Sequence, residues 1–141
     1  MAIKYLDAKR IRGVSNLPVT DGDYTILKFT DDGTFTPTEA ITGEYLIVAG
    51  GGGGAGGGGG AGGLRVDPSY SYTTQAYTIT VGDAGTQGRV GFYQGGDGGD
   101  SIINPAGSSA ITADGGGGGG AEDATPAGRS GGSGGGGGWA G

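Results

Sequence analysis

Residues 50–63 read GGGGGAGGGGGAGG, and over that stretch no side chain exceeds the methyl groups of Ala55 and Ala61. Shorter runs of the same kind recur at Gly115–Gly120 and Gly131–Gly138. Such tracts have no side chains to bury. They are either flexible linkers or extended polyglycine helices packed backbone to backbone, and the choice decides the fold. Composition taken alone fits the linker, since 40 Gly and 5 Pro in 141 residues lie in the low-complexity range. The flanking residues argue for order. Tyr24–Thr30 (YTILKFT), Glu44–Ala49 (EYLIVA) and Ala76–Val81 (AYTITV) are strand-like runs of apolar, β-branched and aromatic residues, and two of them lead directly into glycine. A linker would join domains, and no segment beyond these runs is long enough to form a second one.

Fixing fourteen glycine backbones costs about 14–28 kcal/mol, so no isolated run stays extended. A left-handed helix of the polyproline II type has three residues per turn and no internal hydrogen bonds, so neighbouring helices can take its amides and carbonyls. At about 0.5–1.5 kcal/mol net per hydrogen bond, such a structure needs a bundle in which most groups are paired. A Cβ inside the bundle would force the backbones apart. On this reading the scaffold is Gly50, Gly51, Gly52, Gly53, Gly54, Gly56, Gly57, Gly58, Gly59 and Gly60, and a valine at Gly58 is expected to disrupt it.

The interruptions follow the same period. Ala49, Ala55, Ala61 and Leu64 share one phase of three, as do Ser130, Ser133 and Trp139. Gln94, Asp97 and Asp100 place polar residues at every third position of a third tract. A straight Gly50–Gly63 run would reach about 43 Å at 3.1 Å per residue, so it must cross the domain or turn back once.

The expected fold is all-β and irregular, a small antiparallel β region joined to a packed bundle of polyglycine II helices with intervening loops. Residues 1–20 read as an N-terminal attachment segment and residues 21–141 as the glycine-rich domain. Asp31-Asp32-Gly33 suits a hairpin turn between Tyr24–Thr30 and Gly33–Thr36, with Pro37 ending the pairing. Val66-Asp67-Pro68 opens a loop, and Ser109–Ala113 is a short strand before the second pure glycine run. No segment carries a helical period of 3.6.

Net charge is −6, which argues against nucleic acid as a partner. Lys4, Lys9, Arg10 and Arg12 nevertheless concentrate positive charge at the start, either as a docking tip for an acidic partner or as a solvated surface. No apolar run there makes a secretory signal, and none anywhere is long enough to cross a bilayer. The chain has no Cys and no His, which excludes disulfides, thiolate metal sites and the usual base of a catalytic triad. The glycine runs lack the Lys-Ser/Thr ending of a P-loop, and the acidic residues are scattered in turns. Neither an enzyme nor a cofactor is expected. Gly95–Ile103 (GGDGGDSII) fits one copy of a calcium-binding nonapeptide that would enlist Asp97 and Asp100. Those sites need several stacked copies, so no metal is assigned.

The succession DGDYTILKFTDDGTFT, EYLIVAGGGGGAGGGGGAGGLRV, YTITVGDAG, GGDGGDSII, SAITADGGGGGGA and GGSGGGGG resembles the glycine-rich domain of tail-fibre proteins of tailed bacteriophages. The likeness runs from about Asp21 to Gly138, and its most specific element is the strand-to-glycine junction at Tyr45–Gly54. The first twenty residues look like a modular leader of phage structural proteins. Family members typically close with a hydrophobic strand, whereas this sequence ends in Trp139-Ala140-Gly141. That departure leaves open closure within the chain, a strand from a partner subunit, and a sequence cut short.

The resemblance implies a virion tail protein whose polyglycine scaffold presents loops to a host-surface glycan or outer-membrane protein. Other tail proteins and further copies of the chain, a trimer being the common form, are the expected partners; membrane insertion is not expected. Receptor-binding candidates are Tyr70 and Tyr72 in the loop Arg65–Gln75, and Arg89, Phe92, Tyr93 and Gln94 in the loop Thr86–Gln94. Aromatic faces beside polar donors suit sugar stacking or a protein patch, although Tyr72 and Phe92 equally suit a core poor in Leu and Ile. The alternative function is a self-assembling extracellular filament protein without a receptor.

Overall fold

Thr25, Leu27 and Phe29 are buried while Tyr24, Lys28 and Thr30 are exposed, the period-two signature of a strand with one face on a core. A computed structural model describes residues 2–5, 11–12, 19–21, 23–90, 92–122 and 126–139. Among them there is no helix. The strands are β1 (Ala2–Tyr5), β2 (Ile11–Arg12), β3 (Val19–Asp21), β4 (Tyr24–Lys28) and β5 (Gly33–Pro37). They continue with β6 (Ile41–Val48), β7 (Leu64–Tyr72), β8 (Tyr77–Thr80), β9 (Ser101–Pro105) and β10 (Ile111–Ala113). Two five-stranded sheets result, in the orders β3-β4-β1-β6-β7 and β10-β9-β8-β5-β2, and every pairing of described register is antiparallel.

The chain divides into two units. Met1–Ile47, Arg65–Val81 and Ile102–Thr112 form the β unit; Val48–Leu64, Gly82–Ser101 and Ala113–Gly141 form the glycine unit. In the β unit, the segment read as a leader supplies β1, which pairs with β4 on one side and β6 on the other. Lys9 and Arg10 lie outside the described residues.

Two local expectations are corrected. Asp31-Asp32-Gly33 does not close a hairpin, because β4 and β5 belong to different sheets. The Asp32 carboxylate instead accepts the Val81 amide at 2.8 Å, so the turn carries the chain from one sheet to the other. Leu64–Tyr72 is a strand and not a loop, despite Pro68. It lies at a sheet edge, where a residue without an amide is tolerated. At the other connection, Gly107 adopts φ +77° in the turn after β9, with the Ser108 amide donating to the Pro105 carbonyl.

Aromatic rings fill the core between the sheets. Phe35 of β5 stacks on Tyr77 of β8 at 4.9 Å and meets Tyr72 of β7 edge-on at 5.6 Å. Tyr72 also packs on Tyr70 at 4.7 Å and on Tyr77 at 5.3 Å. The Tyr77 hydroxyl accepts the Thr73 amide at 2.8 Å, whereas the fully buried Tyr72 hydroxyl has no partner among the described residues.

That orphan hydroxyl gives a prediction. Burial first, and then Tyr70, Tyr45, Tyr77 and Asp67, push the Tyr72 phenol far above its ordinary value. Burial likewise raises Tyr70 and Tyr45. Phenols with a folded pKa above the unfolded value contribute stability that is complete below about pH 10 and is lost as pH rises beyond it. Tyr72→Phe is expected to gain about 1 kcal/mol at pH 7 by removing an unsatisfied polar group, and to flatten the alkaline decline. Urea melts at pH 7 and pH 11 check both; a loss of stability at pH 7 would mean that the hydroxyl has a partner.

Candidate functional site

The glycine unit is held by backbone hydrogen bonds that change partner with a period of three. Along residues 49–55, the amides of Ala49 and Gly52 donate to Gly63 and Gly60, while those of Gly50 and Gly53 donate to Gly99 and Gly96. The carbonyls of Gly51 and Gly54 accept from Gly85 and Gly88. One segment therefore serves several neighbours in rotation, which neither a sheet nor an α-helix does.

Residues 114–120 are the most completely bonded. Amides of Gly116 and Gly119 donate to Gly50 and Gly53, and those of Gly117 and Gly120 to Ser133 and Gly136. The other two glycine amides, of Gly115 and Gly118, donate to the carboxylates of Asp100 and Asp97 at 2.8 and 2.9 Å. Every carbonyl from Asp114 to Gly120 accepts an amide. All six glycines of this run are buried.

The Gly50–Gly63 run turns back once. Ala55 donates to Gly57 at 2.8 Å, and residues 57–63 return antiparallel to 49–55. A Cβ on Gly50, Gly52, Gly53, Gly57, Gly59 or Gly60 would come closer than 3.0 Å to a backbone carbonyl. Gly51 and Gly54 have ordinary contact distances of 3.7 and 3.5 Å, Gly56 is tight at 3.1 Å, and Gly58 would meet nothing within 4 Å. The expectation that Gly58 excludes a side chain is therefore corrected: just past the turn it faces open space, unlike Gly52 in the same phase of three.

Bond directions place the connections of this unit. Residues 82–88 and 114–121 run parallel to 49–55, and 133–138 run parallel to 114–121. The turn at Ala55–Gly57, the loop after Gly88, the chain leaving Ala121 and Trp139 consequently share one end. There Arg89 and Tyr93 exchange backbone hydrogen bonds at 2.9 Å in both directions, and the Phe92 amide donates to the Arg89 carbonyl at 3.0 Å. The Arg89 guanidinium lies 4.4 Å above the Phe92 ring, a cation–π contact. Phe92, Tyr93 and Trp139 are 57%, 69% and 72% exposed, and Val90 is exposed beside them in sequence.

The six candidates thus separate. Arg89, Phe92 and Tyr93 come together on one short loop, which rules out the core role considered for Phe92. Gln94 serves the scaffold, its Nε2 donating to the Ala127 carbonyl at 2.7 Å. Tyr72 is buried, and Tyr70 is half-buried on β7 with its ring against Tyr45 at 5.6 Å and Tyr72. Both tyrosines are packing residues of the β unit, a correction to their reading as loop residues.

Asp97 and Asp100 also have scaffold roles. Asp97 accepts the Gly118 amide through Oδ1 and pairs with Arg129 through Oδ2 at 3.0 Å, while Asp100 accepts the Gly115 amide. These carboxylates stand where a further glycine segment would otherwise supply carbonyls. Among the described residues, no three His, Cys, Asp or Glu side chains gather as metal ligands. Sequence reasoning missed Val90 and the exposure of Trp139; the threefold spacing of Gln94, Asp97 and Asp100 was the visible signal for their bonding.

A family model described as a glycine-rich domain matches residues 30–141. No curated protein matches the chain. No solved structure matches it either.

Proposed function

We propose, for a chain that belongs to the glycine-rich domain family, that it is a phage tail-fibre or adhesin-type virion protein that binds a receptor on the host surface. Its glycine unit is read as a bundle of polyglycine II helices, and the loop Arg89–Tyr93 as the part that touches the receptor. The observation that carries the reading is the pairing of a scaffold with an end. Segments whose amides rotate among neighbours every three residues form a hydrogen-bonded scaffold, and their connections gather exposed aromatics at one of its ends.

Connections on a rigid scaffold tolerate sequence change without loss of fold, which suits a surface that must follow a changing receptor. Exposed Phe, Tyr and Trp with an adjacent Arg have the composition of interface anchors. The open side of β7, a sheet-edge strand, supports attachment to other tail proteins or to further copies of the chain. The host-facing end of a virion tail is the place this function requires.

The test is adsorption to host cells of virions carrying Arg89→Ala, Phe92→Ala and Tyr93→Ala together. Adsorption is expected to fall by about tenfold or more, with stability within about 0.5 kcal/mol of the parent because these residues are exposed. Undiminished adsorption would defeat the reading, and so would unfolding of the variant.

A further inference from the structure

Resting on the reading of residues 89–93 as the recognition loop, we propose that this loop takes an anionic saccharide, a sugar ring bearing a carboxylate or a phosphate. Three backbone hydrogen bonds join Arg89 to Phe92 and Tyr93, and the Arg89 guanidinium lies 4.4 Å over the Phe92 ring. A guanidinium stacked on a ring has one flat face occupied, while its N–H donors still radiate in the plane as a fork that matches a carboxylate or phosphate.

Charge points the same way. The glycine unit contains Arg89 and Arg129 against Asp83, Asp97, Asp100, Asp114, Glu122 and Asp123. Arg129 is paired with Asp97, whereas Arg89 makes no ion pair among the described residues. In a unit whose sequence holds six acidic residues against two arginines, Arg89 stands on the tip with its guanidinium over an aromatic ring. The Tyr93 ring, 6.3 Å from Phe92 and mostly exposed, offers a face on which a sugar can stack. A neutral sugar would leave the fork unused, and a purely apolar protein patch would have to desolvate it.

The experiment uses the full chain and three probes: a galacturonic acid trisaccharide, a neutral galactose trisaccharide and a phosphorylated galactose trisaccharide. Binding is read by calorimetry and by saturation-transfer NMR. Both anionic probes are expected to bind, with the neutral probe weaker by about tenfold or more. The tighter of the two anionic probes identifies the source of the charge. Arg89→Gln should bring them to the level of the neutral sugar, Arg89→Lys should recover part of the difference, and Tyr93→Ala should weaken all three.

Equal binding of neutral and anionic probes, indifference to Arg89→Gln, or no saccharide binding at all would overturn the inference. The adsorption assay separates that failure from the failure of the receptor reading. If the triple variant loses adsorption and protease treatment of the cells abolishes it for the parent, the receptor is a protein and only the saccharide inference falls. If the triple variant adsorbs like the parent, both fall.

Discussion

Gly117→Ala is expected to destabilise the glycine unit by about 3 kcal/mol or more, while Gly58→Ala, the same change of one methyl group, is expected to stabilise it by about 0.4–1 kcal/mol. At Gly117 the new Cβ would come closer than 3.0 Å to the Arg129 carbonyl, which is backbone and has no rotamer in which to move away. The Gly117 carbonyl accepts from Gly60 and its amide donates to Ser133, at 2.7 and 2.9 Å, so any retreat stretches bonds to two neighbours. At Gly58 there is nothing within 4 Å, and alanine there removes only freedom of the unfolded chain. Paired thermal melts, with amide exchange of residues 114–121, provide the check. Equal effects at the two positions would show that the glycines are spacers rather than contacts.

The contrast also explains what was legible in the sequence. Ala55 and Ala61 share one phase of three, and Gly58 between them has open space around it. Gly52 lies in the same phase, and its Cβ would come closer than 3.0 Å to the Gly117 carbonyl, so phase alone did not reveal which glycines have room. What periodicity within one run does not contain is the identity of its neighbours. That Gly116 meets Gly50 while Gly117 meets Ser133 depends on how distant segments of the chain return past one another.

The β unit was legible in a different way. Apolar, β-branched and aromatic composition marked YTILKFT and EYLIVA as strands, but not which face of each meets the core: burial alternates along β4 and β6 with Thr25 buried and Tyr24, Leu46 and Val48 exposed. β7 was missed because Pro68, Ser69 and Ser71 read as loop, and edge position removes the penalty that would make such residues informative. The turn at Asp32 was misjudged for a related reason. Local turn chemistry specifies a change of direction, and the distant Val81 amide decides which sheet the chain enters.

At the tip, chain position and the combination of aromatic rings with polar donors suggested Arg89, Phe92 and Tyr93. The same logic failed for Tyr70 and Tyr72, whose segment is no connection. Aromatic residues are equally suited to a core and to a binding face, and only burial tells them apart.

Phe35→Ala carries that distinction into a measurable difference. Phe35 is fully buried and touches Phe29 at 6.2 Å, Tyr72 at 5.6 Å and Tyr77 at 4.9 Å. It reaches from β5 to Tyr72 of the opposite sheet, so its removal opens a cavity between the two sheets instead of beside one. Phe→Ala in a core costs about 3–5 kcal/mol, and stacked or edge-on ring pairs add about 0.5–1.5 kcal/mol beyond the area they bury. Phe92→Ala removes the same side chain from an exposed loop, and its expected cost is below about 0.5 kcal/mol. Urea melts of the two variants should therefore differ by several kcal/mol, with the order reversed in adsorption, where Phe92→Ala weakens attachment and any folded fraction of Phe35→Ala binds normally. A large stability loss from Phe92→Ala would place its ring in a core, and the assignment of residues 89–93 to recognition would fail with it.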